Sequence, residues 1–152
     1  MSVSTANRSS EVQTTSPPLW QVALTILAAG VPAFLLSRVI WPDAPGAAGP
    51  PAPVLPVFIL VSAVEALLFG VGVAFVVFGR RWLGADRSKL ATAAFVAIAW
   101  TLVSWWPHDN FHRVNHDWYS LAAIEVGFHL TLIASIVIVA LYFLRTLRAQ
   151  AR

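Results

Sequence analysis

The chain contains no cysteine, which excludes a disulfide framework, a thiolate metal site and a cysteine nucleophile. Any metal must therefore be held by imidazole, carboxylate or carbonyl groups. Charge is scarce as well: charged residues make up 11% of the 152 residues, hydrophobic residues make up 58%, and lysine occurs once. With a mean hydropathy of +0.72, so apolar a chain does not suit a soluble domain of this size. The apolar stretches also lack the two-residue alternation of a membrane strand, which leaves helices to satisfy the backbone in lipid. No cleavable signal peptide is expected. About eighteen polar residues precede the first apolar run, which is longer than a signal core and has no Ala-x-Ala exit.

What the sequence does hold is four long apolar runs, residues 19–41, 57–78, 90–106 and 119–144. Crossing about 30 Å of hydrocarbon takes roughly 20 residues of helix, and each run is close to that length or beyond it. The expected fold is an all-α integral membrane protein, a single four-helix transmembrane bundle over 19–144. Residues 1–18, rich in Ser and Thr with no apolar periodicity, read as a disordered tail, and 145–152 as a short basic tail. The Pro/Gly/Ala stretch after Asp43 cannot continue a helix and reads as a spacer or flexible lid. Gly30, Ala33, Gly70 and Gly72 suit close helix contact, and Pro32 is placed to kink the first span. No internal repeat is visible.

Basic residues set the expected orientation. Arg80, Arg81, Arg87 and Lys89 crowd the second connection, and Arg145, Arg148 and Arg152 follow the fourth span. The first connection has no Lys or Arg and the third only Arg113, so positive charge puts both termini in the cytoplasm. The basic residues sit where topology requires them, which argues against nucleic-acid binding despite a pI near 10.2. High Ala, Val and Arg content suits a GC-rich bacterial genome, so the inner membrane is the expected location. The third connection then faces the extracytoplasmic side.

That third connection carries the chemistry. His108, His112 and His116 lie four residues apart, with Asp109 and Asp117 beside them. If helix continues past Pro107, a residue tolerated in the first turn of a short helix, the three imidazoles stack on one face. Histidine pairs spaced i, i+4 serve as paired ligands in many metal sites. Asp109 and Asp117 would act as ligands or as orienters of the imidazoles, and the donor set suits Cu, Zn or Fe. Heme held by His129 and a loop histidine is a weaker variant, because the two would have to approach opposite faces of a flat macrocycle. Trp105, Trp106, Trp118 and Tyr119 fit an aromatic belt at the membrane surface, and membrane-boundary histidines can themselves be no more than decoration.

Ionisable residues inside the spans form a second candidate group, since such groups are costly in hydrocarbon and face the bundle interior. Glu65 is eight residues into the second span, about 12 Å deep at 1.5 Å per residue, with Ser62 and Phe69 on its face. Glu125 and His129, one turn apart, lie about 9 and 15 Å in from Tyr119. The three are expected to meet at one level as acid–base residues. Thr101, Ser104 and His108 would form a polar line joining them to the histidine cluster. Arg38 either neutralises a carboxylate or reaches to the surface.

Three functions follow from different classes. One is a small metal-dependent membrane oxidoreductase, or its metal-bearing subunit. Another is a metal-independent acid–base enzyme acting on a lipid-soluble substrate through Glu65, Glu125 and His129. The third is a non-enzymatic subunit docked in a larger membrane complex. Bound metal, an apolar pocket beside the acid–base trio, and an exposed apolar flank would respectively favour each.

Overall fold

The computed structural model describes residues 16–83, 86, 88–115 and 118–151, and these are all-helical, with no strand among them. Four helices follow one another: α1 Leu19–Ile40, α2 Leu55–Trp82, α3 Lys89–Val114 and α4 Trp118–Gln150. Each is long and apolar enough to cross a membrane. Most of the apolar side chains on all four face outward, as expected of helices whose surroundings are lipid rather than water.

The helices run past the apolar segments that announce them. α2 continues through Arg80 and Arg81, and α4 through Arg145 and Arg148, because arginine is a good helix former and backbone pairing needs no apolar side chain. α3 is the larger departure. It does not stop at Trp106 but passes through Pro107 to Val114, so the expected histidine loop is largely the end of a helix. Pro107 has no N–H to offer the carbonyl one turn earlier, so the helix continues through it with one backbone bond fewer. At the other end, Ser88 caps α3 by accepting from Ala91 N at 3.1 Å.

Packing follows chain order, α1 on α2, α2 on α3 and α3 on α4. The α1–α2 crossing depends on small residues. Gly30, Ala66 and Gly70 bring the backbones so close that a Cβ at Gly70 would lie 2.3 Å from the Ile26 carbonyl oxygen. Gly72 plays the same part against Leu102 and Val103 of α3. Along the α3–α4 seam Tyr142 covers Ala91 and Ala94, Trp100 Nε1 donates to Thr131 Oγ1 at 2.9 Å, and Phe128 stacks on His108. The α1–α2 connection is tied to the end of α3 by the Ala44 N–H donating to the Arg113 carbonyl at 3.4 Å. Its residues Ala47 to Pro51 border a cleft that reaches Asp109, His112 and Arg113.

Candidate metal centre

Because α3 stays helical to Val114, His108 and His112 project one turn apart from the same face. α4 returns antiparallel and brings Glu125 against them. The Glu125 Oε1 atom is 2.8 Å from His112 Nε2 and 3.3 Å from His108 Nε2, and the two imidazole nitrogens are themselves 3.3 Å apart. Three ligand atoms of metal-binding type thus converge from two helices. Despite the short distances, Oε1 is buried and no donor among the described residues is aligned with it as a hydrogen bond. The two imidazole nitrogens meet in hydrogen-bond geometry, and the carboxylate oxygen beside them is left without an aligned donor. In a tetrahedral site with bonds of about 2.0–2.1 Å, neighbouring ligand atoms are about 3.3 Å apart. Two edges of the observed triangle match that spacing, and the third is shorter by half an ångström.

The ligand rings are held by their surroundings. His108, its side chain 12% exposed, stacks on Phe128 with ring centroids 3.7 Å apart and planes 12° from parallel, and Trp105 meets Phe128 edge to face. His112 meets His108 edge to face. His129, one turn beyond Glu125, places Nδ1 2.8 Å from the Glu125 carbonyl oxygen and 3.6 Å from Oε2. Donation from Nδ1 to that carbonyl leaves the lone pair of a neutral ring on Nε2, in a side chain more than half exposed.

Glu65 lies elsewhere. Its carboxyl lies near Asp109 and the Arg113 guanidinium, with Oε2 buried and without a hydrogen-bond partner among the described residues. Arg113 donates to Ser62 Oγ at 2.8 Å and to Asn110 Oδ1 at 3.0 Å, and lies 3.8 Å from Asp109. Asn110, 2% exposed, donates in turn to the Trp106 carbonyl at 2.7 Å. Asp109, one residue past His108, is rotated about 100° around α3 and faces α2 instead of the imidazoles. The expected trio of Glu65, Glu125 and His129 is therefore divided: Glu125 and His129 are with His108 and His112, while Glu65 is with Asp109 and Arg113. His116 and Asp117 lie outside the described residues. Arg38 pairs with Asp43 at the end of α1.

Sequence reasoning did not find Arg113, Asn110 or Phe128 as parts of the site. Arg113 had a signal, as the one basic residue of the third connection. Asn110 and Phe128 had none, since their roles depend on which face of α3 meets α2 and which meets α4.

Compared with protein-family models, curated proteins and solved structures, the chain matches none. Its function rests on the site's own geometry.

Proposed function

We propose that this protein is a multi-pass membrane protein carrying a divalent transition-metal centre ligated by His108 Nε2, His112 Nε2 and Glu125 Oε1. The convergence of these three atoms, with Glu125 Oε1 buried and left without an aligned donor among the described residues, is the observation that carries the reading. Two imidazoles and one carboxylate, with no sulfur ligand, favour Zn(II) or Fe(II) over copper. Three protein ligands leave coordination positions for water or substrate, the arrangement of catalytic rather than structural sites. The function we infer is metal-dependent catalysis on a lipid-soluble substrate. His129, with Nε2 turned outward, is positioned as the proton carrier of the site. The positive-inside rule puts Arg80, Arg81, Arg145 and Arg148 on the cytoplasmic side of the cell membrane, and the metal centre at the extracytoplasmic end.

The experiment is elemental analysis of protein purified in mild detergent without a polyhistidine tag. Stoichiometric zinc or iron, lost in both His112→Ala and Glu125→Gln, is the expected result. Metal-free wild-type protein, or metal that survives both substitutions, would overturn the assignment and leave a histidine–carboxylate acid–base site in its place.

A further inference from the structure

Beside His108, between α3 and α4, lies a groove of about 610 Å³ that also touches Trp41 at the end of α1. Its walls are almost entirely apolar, with Val103, Phe111, Ile124 and Phe128 prominent. Ser104 and Trp41 are among the residues that line it, and their polar atoms Oγ and Nε1 are buried just behind the wall, neither with a hydrogen-bond partner among the described residues.

Both are exceptions within the molecule. The hydroxyls of Thr25, Ser37, Thr101, Thr131 and Thr146 each donate to a backbone carbonyl three or four residues earlier, the usual way a helix satisfies them. Ser104, 5% exposed and one turn before His108, does not. The neighbouring groove indole, Trp100, has its Nε1 on Thr131. An indole N–H can only donate, so what satisfies Trp41 must bring an acceptor. A plain hydrocarbon chain brings none.

We propose that the α3–α4 groove binds a lipid-soluble molecule with an oxygen-bearing head, a hydroxyl or carbonyl, which accepts from Ser104 and Trp41. Its hydrocarbon lies along Phe111, Ile124 and Phe128. Binding stands on the groove alone. Only the placing of the head beside a metal, as a substrate, rests on the function proposed above. Gly127 gives a means of closing the groove: it lines the wall, and a Cβ built there meets nothing within 4 Å, so a side chain would enter the groove without displacing backbone.

The test uses the full chain in lipid nanodiscs and saturable binding of radiolabelled farnesol, with farnesene, the corresponding hydrocarbon, as competitor. Farnesene is expected to compete at least about five-fold more weakly than unlabelled farnesol, the ratio for one net hydrogen bond. Ser104→Ala and Trp41→Phe keep the shape of the wall, and each is expected to weaken farnesol binding by about the same factor. Gly127→Leu is expected to abolish it. Equal competition by farnesene, or wild-type binding in both Ser104→Ala and Trp41→Phe, would overturn the proposal. Metal content measured on the same samples separates the two readings. Oxygen-selective binding by metal-free protein would sink the metal centre alone, whereas stoichiometric metal without that selectivity would sink the groove assignment alone.

Discussion

Glu125 Oε1 lies 2.8 Å from His112 Nε2, and this contact joins the last turn of α3 to the early part of α4. The two residues are thirteen apart in sequence, separated by a short connection that forces antiparallel return. On the reading proposed above, a cation held by these atoms would tie the two helices together, so the hairpin end and the proposed metal centre would be one structural unit.

Metal should then be visible as stability. A ligand that binds only the folded state adds about 2.7 kcal/mol at one hundred times its Kd. Extraction with a chelator is expected to lower Tm by several degrees, and added zinc to restore it, as followed by thermal unfolding in detergent. His112→Ala and Glu125→Gln should unfold at the temperature of the extracted protein and respond to neither treatment. A zinc-dependent rise in either variant would remove that residue from the ligand set.

Arg113 serves the other polar cluster. Its guanidinium is the positive group facing Asp109 and Glu65, and it also binds Ser62 and Asn110. Arg113→Ala would leave two carboxyl groups facing each other at the α2–α3 contact. A loss of about 2–3 kcal/mol is expected, below the figure for a fully buried pair because Asp109 is partly exposed. Adding Asp109→Asn should recover part of that loss, which a double-mutant cycle of unfolding would measure. Additive losses would show that the charges do not interact.

The four helices were legible because a helix long and apolar enough to cross a membrane leaves a long apolar run, a signal independent of its neighbours. Half of the site was legible for the same reason. His108 with His112, and Glu125 with His129, are pairs within one helix, and their spacing alone puts each pair on one face. The grouping of pairs was not legible. Glu65 and Glu125 were expected at similar depth, but the rotation of α3 turns Asp109 toward α2 and His108 toward α4, and so sends the two glutamates to different partners. Rotation is set by details such as Gly72 against Leu102 and Val103, which a hydropathy pattern does not carry.

A pH effect is expected at the opposite end of α3. The Ser88 backbone N–H donates to Asp86 Oδ1 at 2.8 Å, and this bond, assisted by the Ser88 side chain and Arg145, holds the Asp86 carboxyl below its ordinary value. A depressed folded pKa means that the stabilisation is fully present above the ordinary carboxylate value of about 3.9, and fades as pH falls through the lower folded value. Amide exchange in the first turn of α3 should accelerate in that acid range, and Asp86→Ala should make exchange fast at neutral pH and remove the dependence. The effect stays local because the carboxylate is fully exposed. A wild-type pH profile in Asp86→Ala would place the sensitivity elsewhere.

Gly70, buried, and Gly127, exposed, should respond to alanine in opposite directions. At Gly70 an added Cβ would come within 2.3 Å of the Ile26 carbonyl oxygen and 3.0 Å of Gly30 N, both backbone atoms of α1 that cannot rotate away. Gly70→Ala must push α1 off α2, which loosens the contacts of Ala33 and Ala66 with Trp106, at a cost of about 1–3 kcal/mol. At Gly127 the new methyl meets open space, and alanine stabilises a helix relative to glycine by up to about 1 kcal/mol. Gly127→Ala should therefore unfold at or above the wild-type temperature while Gly70→Ala unfolds well below it. If both variants were equally destabilised, helix propensity in lipid, and not the α1–α2 approach, would be governing stability.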